Sequence, residues 1–455
     1  MSQPQELILS ACAEASSSSS RPGTTGQPSI YLHDLSTCTQ AASLKPSSKN
    51  GIGGGVLALQ EGKAIVNVWT WQKDQLQLKL HMPEKLSCFT VSPNGCWAAG
   101  GSSSGHMYLW EISSGSLHSS FTVHYRQITS LTFTPDSRLL LSSSLDASSH
   151  VFLVSQLVDP SLPLPKPYGS FSDHTLPVLS VCVSRSSSVA GGRAFTCSED
   201  GTVKLWDLYP PFTLLSTFAL PAGSTPVQVV VDPMERFFYV AANIESRGQA
   251  WHVPLYKHKE DARSDNNVEA VGGGGFGEPP VKLGPLIFES KSAFTSMTLS
   301  ISASHLLVGT DSGEVSILSI PSHQLVRTLN LSGPVTHLST MLRPPDLGVS
   351  NPDRWTPLEV KAFERLRVGK SNREAQDVVM ALGPSTKHEL LTSLRPPRAR
   401  GSMARGSGDV HIQKTNEHLA EILDENKRLR ASLDKAVKIN DKMWKGVVDL
   451  HLMNE

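Results

Sequence analysis

The chain has 455 residues, and its 41 basic residues balance 41 acidic ones at a pI near 7.3, which excludes a globally basic nucleic-acid binder. Six cysteines (Cys12, Cys38, Cys88, Cys96, Cys182 and Cys197) show no CxxC spacing, so buried reduced thiols are expected in place of a disulfide framework or metal site. No apolar stretch reaches the length of a membrane span, and the N-terminus lacks a basic start with an apolar core, which points to a cytosolic or nuclear location.

The first predicted strand is ELILSACA at residues 6–13, and behind it comes IYLHDL around His33. Similar segments follow at VNVWTW (Trp69), MYLWEI (Trp110), VFLVSQL (Val154), SEDGTVKLWDL (Trp206), QAWHV (Trp251) and VSILSI (Leu318). Each is an alternating apolar run, and several are preceded by a Gly-, Ser- or Asp-rich turn such as GSSSGH, EDG or TDSGE. Recurrence at roughly 40 residues is the period of a propeller blade, and one four-stranded blade cannot bury its own faces. The expected fold is therefore all-β, a seven-bladed WD40 β-propeller over residues 1–342.

The copy at Trp206 shows why residue types matter. A His in the loop before a blade, a Ser or Thr on its second strand, an Asp in the next turn and the Trp indole can form one buried hydrogen-bonded chain. His174, Thr196, Asp200 and Trp206 fit this structural tetrad. The preceding blade keeps His124, Ser142 and Asp146 but has Phe152 or Val154 in the indole's place. These sets account for the chain's best His, Asp and hydroxyl groupings, so neither a catalytic site nor a metal or cofactor site is expected.

Closure follows from counting strands. Only one strand precedes the first WD-like strand, and after the last strand of blade seven near residues 325–331 comes a surplus run, GPVTHLSTML, at residues 333–342. The surplus matches the deficit, so residues 334–342 are expected to return and complete blade one. Three stretches interrupt the rhythm and read as surface loops: residues 16–27, 159–166 (DPSLPLPK) and 258–284. The GGGGFG at residues 272–277 has no strand before it and no Lys-Ser or Lys-Thr after it, so it reads as linker and not as a phosphate cradle.

Beyond residue 342 the character changes. Residues 354–405 hold eleven Arg and Lys against five Asp and Glu, a local positive charge that the neutral total conceals. Residues 343–408 are expected to be a basic, largely disordered linker, with a short helix near 355–366 (WTPLEVKAFERL). Arg395, Arg398, Arg400 and Arg405 are candidates for RNA contact or nuclear import, against plain solvated linker. Over residues 409–452 a heptad seam places Ile412, Leu419, Asn426, Leu433, Asn440 and Val447 at a, and Thr415, Ile422, Leu429, Ala436, Met443 and Leu450 at d. Asparagines at a select a parallel two-stranded register, so the expectation is a homodimer through a C-terminal coiled coil; an amphipathic helix packed on its own propeller and a seam shared with a different protein are the alternatives.

At this point a resemblance can be stated. The run VWTWQKDQLQLKL (residues 68–80), the SPNG turn at 92–95 with MYLWEISSGSL after it, HYRQITSLTFTPDS (124–137) and the GPVTH strand look like those of the WD repeat-containing protein 18 family, which includes a fungal pre-rRNA-processing WD subunit of the Rix-type complex. The resemblance implies a non-catalytic nuclear scaffold, in nucleolus and nucleoplasm. It implies work in internal transcribed spacer processing and maturation of the large (60S) ribosomal subunit precursor. Its implied partners are other Rix-type subunits, a midasin-type AAA ATPase and the rRNA-containing precursor particle, with no membrane and no small-molecule substrate. A chromatin or replication-licensing adaptor built on the same propeller is the alternative. Neither the WDxR signature of ubiquitin-ligase receptors nor the FRRG motif of phosphoinositide-binding propellers is present.

Overall fold

A computed structural model describes residues 5–13, 29–48, 55–60, 62–71, 75–159, 165–184, 192–258, 268–272, 280–344, 347 and 360–366. All of them belong to the first of the chain's two units, Met1–Pro384. The protein is a seven-bladed, all-β propeller. From the axis outward, blade 5 runs Val178–Val183, Arg193–Ser198, Thr202–Asp207 and Leu214–Ala219, all antiparallel.

The strands of this blade carry apolar side chains on both faces because neighbouring blades cover both. Val203 and Leu205 point into a core shared with Val229, Phe238 and Val240 of blade 6, while Trp206 and Ala194 pack on Leu139, Leu141 and Val151 of blade 4. Leu139–Ser144, second strand of blade 4, is buried at every position. A Leu or Phe placed this way contributes roughly 1.5–3 kcal/mol by leaving water. Tight turns join the strands; Gly105 has φ +87°, and a Cβ there would come within 2.0 Å of the His124 carbonyl oxygen, so only glycine fits.

Blade 1 contains both ends of the ring. Val335–Leu342 lies antiparallel to Glu6–Cys12, from Glu6 opposite Leu342 to Cys12 opposite Val335, and the Ala13 N–H donates to the Pro334 carbonyl at 3.0 Å. Ser29–Asp34 and Gln40–Ser48 complete the blade outward. Pairing with Val335–Leu342 removes the edge that Glu6–Cys12 would otherwise expose, and Ile8 and Leu338 pack on Leu307, Val315 and Ile317 of blade 7.

Several details differ from the sequence reading. Blade 2 has three strands among the described residues, Gly55–Leu59, Ile65–Thr70 and Gln75–His81, where a four-stranded unit was expected. Its outermost strand pairs parallel with the outermost strand of blade 1, Lys45 opposite Gln75. The stretch 258–284 is not loop throughout: Tyr256–His258 pairs with Val268–Ala270, and Val281–Lys282 lies parallel to Leu214–Ala219. Val271, Val281 and Leu283 pack on the core between blades 5 and 6, which gives these short pieces a reason to order. Of the helix expected near 355–366, residues 355–359 lie outside the described residues. Residues 360–366 carry no helix. The Glu364 N–H donates to the Gly115 carbonyl at 2.9 Å, a bond to blade 3 in place of one within a helix. Residues 16–27 and the Gly-rich residues 273–277 lie outside the described residues.

Candidate interaction site

His174, Thr196, Asp200 and Trp206 meet inside blade 5. Asp200 Oδ2 accepts from His174 Nδ1 at 2.9 Å, His174 Nε2 lies 2.8 Å from Thr196 Oγ1, and the Trp206 indole N–H donates to that same oxygen at 2.8 Å. A carboxylate only accepts, so the neutral ring carries its proton on Nδ1 and Nε2 accepts the threonine hydroxyl. The chain runs Trp206 to Thr196 to His174 to Asp200 with each donor used. Asp200 also accepts from the Thr202 hydroxyl at 2.6 Å and the Thr202 N–H at 2.9 Å. Burial opposes its charge, but hydrogen bonds from His174 and Thr202 outweigh burial and hold its carboxyl well below the usual carboxylate range.

Blade 4 repeats the arrangement without its last member. His124 Nε2 lies 2.8 Å from Ser142 Oγ and Nδ1 lies 3.0 Å from Asp146 Oδ2. Strand register settles the indole's equivalent: Leu140 opposes Phe152 as Ala194 opposes Trp206, so the position is Phe152 and not Val154. Val154 instead starts a short helix, Val154–Val158. His150 stacks on His124 with ring centroids 4.7 Å apart, and its Nδ1 is buried without a hydrogen-bond partner. Burial, then the neighbouring His124, lowers the His150 pKa to about 4.

The tetrad aspartates also fix the loops beside them. Asp146 accepts from the Tyr125 N–H at 3.2 Å and Asp200 from the Thr175 N–H at 3.3 Å, while Ser198 Oγ donates to the Leu176 carbonyl at 2.8 Å. These bonds hold Tyr125 98% exposed and Leu176 47% exposed, each directly after a tetrad histidine loop. Large apolar side chains held in water on rigid loops are typical anchors of a protein interface. Sequence reasoning passed over both; the available signal was a bulky apolar residue one or two places after each tetrad histidine.

Blade 3 solves the same problem with a distant segment. Gly100 occupies the position of Thr196, so Trp110 has no hydroxyl to meet, and its indole N–H donates to the Glu364 carbonyl at 2.9 Å. Phe363, buried, stacks on the Trp110 ring at 5.4 Å, and Glu364 Oε2 accepts from the Leu117 N–H at 3.2 Å.

The hydroxyls of Thr196 and Ser142 are buried in these chains, out of reach of any substrate. Among the described residues no three His, Cys, Asp or Glu side chains converge as metal ligands would. The thiols of Cys88 and Cys197 are pushed up to about 12 and that of Cys12 to about 11 by burial, which makes them inert at neutral pH. Cys96 is exposed, and all six cysteines are free. The heptad residues Ile412 to Leu450 and Arg395, Arg398, Arg400 and Arg405 lie outside the described residues.

Comparison with known proteins adds the following. The family model for the WD domain, G-beta repeat, matches residues 73–111, 115–152 and 165–207. The chain is 31% identical over 338 residues to Pre-rRNA-processing protein IPI3 of Yarrowia lipolytica, covering 73% of this chain and 75% of that one. It is 28% identical to the protein of the same name from Mycosarcoma maydis, over 89% of this chain and 88% of that one. It is 30% identical to WD repeat-containing protein 18 of Rattus norvegicus, over 70% and 69% respectively.

Proposed function

The chain belongs to the family of Pre-rRNA-processing protein IPI3 and WD repeat-containing protein 18, and from that premise we propose that it is a non-catalytic scaffold in pre-rRNA processing and ribosome biogenesis. In this reading it is a nuclear subunit of a Rix-type complex that acts on the internal transcribed spacer during maturation of the large-subunit precursor. A midasin-type AAA ATPase and the precursor particle are its partners, and residues 409–452 pair two copies. The observation that carries the proposal is likeness to proteins named for pre-rRNA processing over most of the chain's length.

The geometry supports a scaffold. Both hydroxyl, imidazole and carboxylate sets are consumed in holding loops, and what those loops present is Tyr125 and Leu176. A rigid disc gives large faces without a cleft, and a standard protein interface of roughly 1,600 Å² would occupy only part of one. Two discs joined at one end would add avidity for a bivalent partner without any new contact.

Affinity purification of the full chain from nuclei tests this. Precursor rRNA and large-subunit assembly factors in the eluate are expected. Origin-binding proteins with no ribosomal material would overturn the proposal in favour of a replication adaptor.

A further inference from the structure

Among the described residues blade 2 lacks the strand that every other blade places nearest the axis. Gly55–Leu59 lies at the end of its sheet and pairs on one side alone, with Ile65–Thr70. The Gln60 N–H donates to the Ile65 carbonyl at 2.9 Å, and the same parity makes Val56 opposite Trp69 and Ala58 opposite Asn67 the bonded pairs. Alternation along an antiparallel ladder then turns the N–H and C=O groups of Leu57 and Leu59 to the side away from Ile65–Thr70. Among the described residues no strand receives them. Burial agrees. In blades 3, 5 and 7 the second strand is buried at all but its first position, and in blade 4 at every position. Val56, Leu57, Ala58 and Leu59 are all only half-buried.

The chain between blades 1 and 2 is short. Six residues, 49–54 (KNGIGG), separate Gln40–Ser48 from Gly55–Leu59, too few for a crossing, a strand of about five residues and a turn.

The other inner strands define what the place would accept. Leu86–Val91 reads LSCFTV, Ile128–Phe133 ITSLTF, Val178–Val183 VLSVCV, Phe294–Leu299 FTSMTL, and Val335–Leu342 begins VTHLST. These five are apolar at the first and fourth positions, have Ser, Cys or His at the third, and Thr, Cys or Ser at the fifth; the sixth, Ser224–Val231 of blade 6 (STPVQVVV), departs from the pattern with Gln228 and Val230 at its third and fifth. Their hydroxyls staple one inner strand to the next. Ser87 donates to the Ile128 carbonyl at 2.5 Å, Thr129 to Val178 at 2.7 Å, Thr132 to Val181 at 3.1 Å and Thr340 to Leu299 at 2.7 Å. In blade 1 the residue at the second position, Thr336, is exposed, and its hydroxyl donates to the Ala11 carbonyl at 3.1 Å.

We propose that the inner place of blade 2 is a docking site for an extended segment of a partner protein, apolar at its first and fourth residues and small and polar at its third and fifth. Such a segment would pair with Leu57 and Leu59 and close the ring; the main chain supplies affinity and the alternating side chains supply specificity. The chain's own remaining match, residues 391–394 (LTSL), continues with Arg395 and Pro396. That puts a charge and a residue without an N–H where the ring needs a small polar residue and a paired strand, so the occupant is a separate protein.

The probe is a fluorescent peptide of this chain's residues 124–136, HYRQITSLTFTPD, added to the full chain. Anisotropy should rise and saturate, and a peptide with Leu131→Asp should not bind. Site-resolved hydrogen exchange should find the Leu57 and Leu59 amides fast in the free chain and slowed at least about tenfold by the peptide, with Val56 and Ala58 slow throughout. Leu57→Pro should abolish binding; if that variant fails to fold, exchange on the unmodified chain decides. Protection of Leu57 and Leu59 in the free chain, or no binding of the peptide, would overturn the proposal. So would binding that appears only after Thr392→Pro, because the chain's own segment would then already be in place.

Discussion

Replacing Thr196 by valine tests the hydrogen-bonded chain in blade 5 with little change of shape. The Thr196 oxygen accepts from Trp206 and its hydroxyl serves His174, so valine leaves two buried polar atoms unpaired, the indole N–H and His174 Nε2. At about 1–3 kcal/mol for each, the loss should be about 2–6 kcal/mol. Blade 4 provides an internal control. Ser142→Ala orphans only His124 Nε2, since Phe152 offers no donor, and should cost about 1–3 kcal/mol. Urea unfolding of both variants, read as a midpoint shift at constant slope, measures the difference. Trp206→Phe combined with Thr196→Val should then cost less than the sum of the singles, because the double variant has only one orphan. A Thr196→Val loss no larger than that of Ser142→Ala, or strict additivity in the cycle, would refute the shared hydroxyl.

Acid should weaken the propeller through His150. Folding lowers its pKa from 6.5 to about 4, so between those values the unfolded chain binds the proton and the folded one does not. Stability is full above pH 6.5 and falls as the pH drops through this window, by an amount on the order of 2–3 kcal/mol. His150→Gln should flatten that limb of a plot of urea midpoint against pH. Phe363→Ala should release the segment over Trp110, speeding tryptic cleavage at Lys361 and Arg365 while the main unfolding transition moves far less; unchanged cleavage would count against the stack. Tyr125→Ala with Leu176→Asp should strip partners from the purified chain with a stability change within about 0.5 kcal/mol, as for other exposed positions. Leu429→Glu should give a monomer in light scattering of the full chain with its β-sheet circular dichroism intact.

The repeat is readable because its cause is local: each blade needs a two-sided apolar strand and a tight turn, and these recur along the chain. What escaped reading depends on contacts between distant residues. WTPLEVKAFERL has apolar residues at helical spacing, yet Phe363 and Glu364 are spent on Trp110 and Gly115 of blade 3, and that tertiary partner overrides local propensity. Aligning blade 4 on its apolar run put Val154 in the indole's place. Aligning instead on the turn aspartates gives Phe152, because Asp200 to Trp206 and Asp146 to Phe152 are both six residues. The short blade 2 did leave a trace. The interval from His33 to Trp69 is 36 residues, against 41 from Trp69 to Trp110 and 42 from there to Phe152. A deficit of five or six residues is one propeller strand, and a missing strand in a ring otherwise closed leaves one backbone edge with donors and acceptors to satisfy. Interval lengths between the repeats, and not only their composition, therefore mark where a propeller is open to another chain.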